Sequence, residues 1–238
     1  WQHILKHLSR FPTFEKDGKT VFRYTEKGID WWINNSCGIQ HIYPAGAIGL
    51  DSDPKLLEIS RNTIAAHSRW IDNNGMNSFY AAAVRVGYDP EIILRELRAM
   101  IGKVGQTNGL HGSTLEGVEN CSIVPNAINE MLCMGHHNVL RVFPVWPRGN
   151  DARFMNIRAW GAFLVSSALK GGEVRFVRIF SEKGRNCMLV NPWPGKAVDV
   201  YRDGTKIETQ KGERFTMKTQ AGTTVVLVPE GASCPTVE

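Results

Sequence analysis

Two glutamates stand three residues apart in a short polar run, Gly112-Ser-Thr-Leu-Glu116-Gly-Val-Glu119-Asn120. Cys121 to Val124 follow, and then Pro125 opens a helix-like stretch. Carboxylates at that place can do two things. They can accept hydrogen bonds from the free N–H groups of a helix start, or they can move protons. Glycoside hydrolysis needs two acid/base functions flanking the scissile bond, and Glu116 and Glu119 are candidates of the right chemistry. Both readings stay open on this stretch alone.

The other chemistry-bearing residues fall in two long connections. Residues 24–52 carry Trp31, Trp32, Asn34, Asn35, His41 and Tyr43, and residues 103–124 carry Asn108, Glu116, Glu119 and Asn120. Ordinary helix connections run about two to eight residues, and the aromatic content argues against disorder. Aromatic faces cover the apolar side of a sugar ring, while Asn, His and carboxylates bond its hydroxyls. Trp31, Trp32, His41, Glu116 and Asn120 are therefore the candidate substrate-binding residues, and the choice between Glu116 and Glu119 for acid/base work stays open on residue types. Each has a structural alternative. Adjacent Trp31 and Trp32 point in different directions, which puts at least one in the core. His41, between Gln40 and Ile42 in an apolar segment, also fits a buried histidine. Glu130 falls inside a helix and reads as structural.

The elements that must position these residues change character near residue 138. Asp53-Pro54 and Asp89-Pro90 each place a capping residue before a proline at the first helical position. The spacing predicts helices over KLLEISRNTIAAHSRW, with Leu57, Ile64 and Ala65 on one face, and over EIILRELRAMI, with Ile93, Leu94, Leu97 and Ile101 as its apolar stripe. FYAAAVRVG and NAINEMLCM read as two more helices, stopped by Gly87 and Gly135. The starts at Pro54, Pro90 and Pro125 recur at about 35 residues, a period that suits stacked helical hairpins as in a solenoid or an α/α toroid. After His137 the pattern becomes strand-like, with tight turns at Lys170-Gly-Gly-Glu173 and Arg202-Asp-Gly-Thr205. The expected architecture is a helical module, residues 1–137, then an antiparallel β-sandwich, residues 138–230, and a flexible tail, residues 231–238.

Composition narrows the function classes. With 42% hydrophobic and 21% charged residues, the 238-residue chain is ordinary for a globular protein. Its longest apolar runs fall short of a membrane span. The net charge of +5 comes from scattered basic residues, with no basic stripe interleaved with stacking aromatics, so nucleic acid is not an expected partner. Capture of a polyanion rests on that charge alone. The five cysteines are widely spaced without C-x-x-C, and no P-loop, dinucleotide or EF-hand pattern occurs, so neither metal nor cofactor is expected. The sequence opens on Trp1 as if within a helix, and the expectation is a piece of a longer protein.

Residues 128–147, INEMLCMGHHNVLRVFPVWP, resemble the end of the toroid in glycoside hydrolase family 95, which holds α-L-fucosidases and some α-galactosidases. In that family a phrase I-D-G-N-F-G precedes a helix I-A-E-M-L and a strand L-P-A-L-P. Here Ile128-Asn-Glu-Met-Leu132 matches the helix and Phe143-Pro-Val-Trp-Pro147 the strand, so Glu119 falls on the family's aspartate and Asn120 on its glycine. Gln40-His-Ile-Tyr-Pro44, Asp53-Pro-Lys-Leu56, DARFMNIRAWGAFLVS and NPWPG extend the resemblance over residues 28–229.

The resemblance implies the C-terminal helices of an (α/α)6 barrel followed by a β-sandwich. It also implies an inverting hydrolase of terminal α-L-fucosyl or α-galactosyl residues, periplasmic or secreted, with a glycan substrate. In the family the aspartate polarises an asparagine that activates water, a role that would pass to Glu119. Inverting geometry leaves roughly 6.5–9.5 Å between the two functions. The sequence departs from the family in carrying Glu for Asp at 119 and Cys37-Gly38 for an Arg-His pair. The family's general acid and asparagines correspond to positions before Trp1, so the rest of the barrel would come from an upstream segment. A non-catalytic carbohydrate-binding or structural module derived from such an enzyme is the alternative.

Overall fold

The computed structural model describes residues 1–8, 10–32, 37–71, 76–111 and 121–235. The chain divides into two compact units, Trp1–Ala127 and Ile128–Glu238.

In the first unit the described residues form a short helix α1 (Gln2–His7) and a hairpin of β1 (Thr13–Lys16) and β2 (Lys19–Phe22). Helices α2 (Pro54–His67), α3 (Met76–Arg85) and α4 (Pro90–Val104) follow, and α5 (Ile123–Leu132) begins in this unit. The hairpin corrects the expectation of a purely helical first module. Its signal is in the sequence: Asp17-Gly18 sits between alternating residues, and both residues have positive φ, +51° and +73°, the backbone that a two-residue hairpin turn requires. α2 and α4 start as expected. Asp53 accepts from the Lys55 N–H at 2.9 Å, and Asp89 accepts from those of Glu91 and Ile92 at 2.9 and 3.3 Å.

The buried face of α2 differs from the expected one. It is Ile59, Ser60, Thr63, Ile64 and His67, while Ala65 is exposed. The cause is the hairpin. The Phe22 N–H donates to Thr63 Oγ1 at 2.9 Å, and Asn62 Nδ2 donates to the Thr20 carbonyl at 3.3 Å, so α2 turns its polar Asn62–Thr63 edge to β2. In α4, Met100 takes the buried place expected of Ile101, which is exposed. α3 is buried along Phe79–Val84, and Tyr80 donates its hydroxyl to the Trp70 carbonyl at 2.9 Å. Ile39, Ile42 and Ile48 are fully buried, so the long connection after residue 37 supplies core rather than surface.

The second unit is a two-sheet sandwich. Strands β3 (Cys133–Met134), β4 (Val139–Val142), β8 (Asn186–Val190) and β11 (Arg214–Lys218) make one sheet in the order β11-β8-β4-β3. The other holds β5 (Ala152–Ala159), β6 (Phe163–Lys170), β7 (Glu173–Ser181), β9 (Val198–Arg202), β10 (Thr205–Gln210) and β12 (Thr223–Pro229) in the order β10-β9-β12-β7-β6-β5. Leu140, Leu189 and Phe215 of the first sheet share one buried core with Val165, Ile179, Val200 and Leu227 of the second. The sandwich is not wholly antiparallel: β4 and β8 pair in parallel, Val139 with Met188 and Leu140 with Leu189. Parallel neighbours need a long crossover, which here consists of β5–β7. The expected turns at 170–173 and 202–205 join β6 to β7 and β9 to β10. Among the described residues no helix is long and apolar enough to cross a membrane.

Candidate functional site

Residues 24–30 fold back on themselves. The Tyr24 N–H donates to the Asp30 carbonyl at 2.9 Å, and the Thr25 N–H to that of Ile29 at 3.1 Å. The Thr25 hydroxyl closes the tip by donating to the Lys27 carbonyl at 2.8 Å, and Arg23 pairs with Asp30 at the base. This small loop delivers Trp31 and Trp32 to one place. Trp31 is half-buried and stacks on His67, the last residue of α2, with ring centroids 4.1 Å apart. Lys16 Nζ lies 5.4 Å from the centre of the Trp31 ring. Trp32 is 45% exposed and leans on Tyr24, centroids 5.3 Å apart. Neither tryptophan is in the fully buried core.

Gly38 links the two halves of this aromatic row. A Cβ built there would stand 3.5 Å from His67 Nε2 and 3.8 Å from Tyr24 Cδ2. Trp31, His67, the Gly38 backbone, Tyr24 and Trp32 therefore run continuously along the first unit. One end is covered by a cation, and the other offers an exposed indole. Such ring faces match the C–H face of a sugar and leave the indole N–H and ring edges for hydroxyls.

His41 lies in a different setting. Its ring stacks on Phe11 at 4.8 Å and meets Phe22 edge-on at 4.4 Å. Its Nε2 is buried and has no hydrogen-bond partner among the described residues. Burial lowers its pKa to about 4, so the ring is neutral at ordinary pH. A proton-donating role for His41 near neutrality is disfavoured by that environment.

Tyr43, two residues on, ties this segment to α5. Asn126 Nδ2 donates to its hydroxyl at 3.0 Å, and the Arg85 guanidinium stands over its ring at 4.5 Å. The segment holding His41 and Tyr43 thus touches the helix that follows the Glu116–Asn120 run. Glu116, Glu119 and Asn120 themselves lie outside the described residues, as do Asn34 and Asn35. The described chain resumes at Cys121, two residues past Glu119.

Tyr24, His67 and Arg85 join the site without having been singled out in the sequence. His67 was accessible to helical periodicity, because Ser60, Ile64 and His67 follow the spacing of one buried face. Tyr24 gave no signal because its contact with Trp32 needs the loop at 24–30 to fold back, and Arg85 because its partner Tyr43 is distant in sequence. Among the described residues, no group of three or more His, Cys, Asp or Glu is placed to hold a metal ion.

No family model matches the chain, and no curated protein matches it. Among solved structures it is similar to a GH127 β-L-arabinofuranosidase from Geobacillus stearothermophilus T6, at 13% sequence identity and a TM-score of 0.28. That match covers 64% of this chain and 30% of the arabinofuranosidase chain. So low a TM-score carries no argument for fold or activity.

Proposed function

We propose that the chain is the C-terminal part of an inverting glycoside hydrolase that releases terminal α-L-fucosyl or α-galactosyl residues from glycans. The observation that carries this reading is the row Trp31–His67–Gly38–Tyr24–Trp32, partly open to solvent and built from the residue types that stack on sugar rings. The motif resemblance at residues 128–147 and the order of helices followed by a sandwich support it. In this reading Glu119 polarises the group that activates water. The general acid belongs to an upstream segment that completes an α/α toroid, and Trp31 and Trp32 hold the glycan. The test is hydrolysis of aryl α-L-fucoside and aryl α-galactoside by this chain and by its longer parent polypeptide. Turnover by the parent and none by this chain is the expected outcome. No turnover by either removes the hydrolase reading.

A second reading, a non-catalytic carbohydrate-binding module, is favoured by one observation. The aromatic row holds no carboxylate, and its adjoining one, Asp30, is paired with Arg23. Under that reading the chain binds glycans, Trp32→Ala weakens the binding, and Glu119→Gln does not.

A further inference from the structure

The charge of the chain is unevenly placed. Residues 128–238 hold fifteen Lys and Arg against ten Asp and Glu, while residues 1–127 hold thirteen of each. The whole +5 therefore belongs to the sandwich unit. On that unit a cleft of about 400 Å³ opens between the β6–β7 turn and the Asn191–Lys196 loop.

The loop wall is held in place. Asn191 Nδ2 donates to the carbonyls of Lys196 and Gly212 at 3.0 and 2.9 Å, and its Oδ1 accepts from the Trp193 N–H at 2.9 Å. The Trp193 ring, 4% exposed, is pinned into the core by its Nε1–H donating to the Val174 carbonyl at 2.7 Å. Pro192, Pro194 and Val174 thus present a fixed apolar floor.

Charged groups stand around that floor. Arg148 lines the cleft, and among the described residues its guanidinium has no ion-pair or side-chain hydrogen-bond partner. Lys196 Nζ stays 3.9 Å from Glu173 Oε1, and the second Glu173 oxygen is 3.8 Å from Arg175, both beyond hydrogen-bond length. On the far side of Lys196 a second hollow of about 530 Å³ carries Lys211, Glu213 and Glu230.

We infer that the Arg148–Lys196 cleft of the sandwich unit is a binding site for an acidic sugar, a pyranose ring carrying a carboxylate, with room for a neighbouring ring across Lys196. The guanidinium takes the carboxylate in two parallel hydrogen bonds, as a planar fork does. Glu173 accepts from ring hydroxyls, and the proline floor covers the C–H face. Glu173, Glu213 and Glu230 disfavour a densely charged phosphate polymer, which separates this ligand from nucleic acid. The site is independent of the glycosidase reading, because it needs no residue of the first unit and no turnover.

The test is calorimetric titration of the full chain with digalacturonate, beside a neutral digalactoside, for the wild type, Arg148→Ala, Lys196→Ala and the distant control Lys183→Ala. Digalacturonate should bind, the neutral disaccharide should not, and Arg148→Ala should weaken binding by about tenfold or more, as loss of a charge-assisted pair does. The proposal is overturned by no binding to the wild type, by equal binding of the neutral disaccharide, or by an affinity unchanged in both cleft variants. A loss in Lys183→Ala equal to that in Arg148→Ala overturns it too, because the attraction is then only overall charge. These variants leave the aromatic row of the first unit untouched, so hydrolysis measured in parallel fails or succeeds separately.

Discussion

The two units reach their structures by opposite routes. In the sandwich, neighbouring strands are joined by two-residue turns at 171–172 and 203–204, and side chains alternate between core and solvent, as in β11, where Phe215 and Met217 are buried and Arg214, Thr216 and Lys218 are exposed. In the first unit, the candidate site is assembled from residues far apart in the chain: Trp31 against His67, Tyr43 against Asn126. Local turn chemistry sets the β6–β7 and β9–β10 hairpins of the one, while the site of the other depends on long-range packing that no short window of sequence contains. The unit with the less legible fold is also the one that gathers the sugar-type side chains.

The comparison can be broken hardest at the residue that anchors the sandwich loop. Trp193→Ala empties a core site and leaves the Val174 carbonyl without its donor. It should cost about 3–5 kcal/mol, read as a fall in the denaturation midpoint. The largest effect in the first unit should be electrostatic. His41 has a folded pKa of about 4 against an ordinary value of 6.5, so the unfolded chain takes up its proton first. Stability from this group is complete above pH 6.5 and is lost as pH falls towards 4, by about 3 kcal/mol at most. His41→Phe should flatten unfolding against pH in that window. An unchanged slope would remove His41 as the cause.

The sandwich has its own acid limit, lower on the scale. Asp199 is almost wholly buried. It accepts from Lys206 at 2.7 Å, from the Gly231 N–H at 3.0 Å and from the Thr209 hydroxyl at 2.7 Å, and these bonds lower its pKa to about 2. Its contribution is present above the ordinary carboxylate range and disappears as pH falls from about 4 towards 2. Asp199→Asn should abolish that dependence, followed by far-ultraviolet circular dichroism in acid, and leave the His41 window intact. A smaller effect is expected at the first-unit hairpin. Gly18→Ala adds a side chain at φ +73° and should cost about 1–2 kcal/mol, detectable as a lower melting temperature without loss of the aromatic row.

What was legible follows the same division. The caps at Asp53 and Asp89 and the turn at 203–204 were readable because each is a contact within a few residues. The β1–β2 hairpin was also written locally, in Asp17-Gly18, but the helical signals around it outweighed it. Once it is missed, the face of α2 is misread, since Thr63 is buried by its bond to Phe22 rather than by hydrophobicity. The parallel β4–β8 pair was out of reach for another reason: its partners lie about fifty residues apart, across β5–β7, and no local pattern in β4 or β8 names the other. Of the candidate site, Trp31 and Trp32 were legible as residue types. His67 was legible only as a buried position on the periodic face of α2, and its stacking on Trp31, like that of Tyr24 on Trp32, was not, because stacking carries no sequence spacing.

The proposed glycosidase activity draws on the Glu116–Asn120 run, which precedes α5 in the sequence. It is tested most directly by turnover of aryl α-L-fucoside and aryl α-galactoside by the parent polypeptide carrying Glu119→Gln, beside the wild type, with folding checked by melting temperature. The account predicts wild-type activity and a fall in kcat of about 10²–10⁴ in the variant at unchanged melting temperature. Wild-type activity retained in the variant would contradict it and return Glu119 to the role of a helix cap.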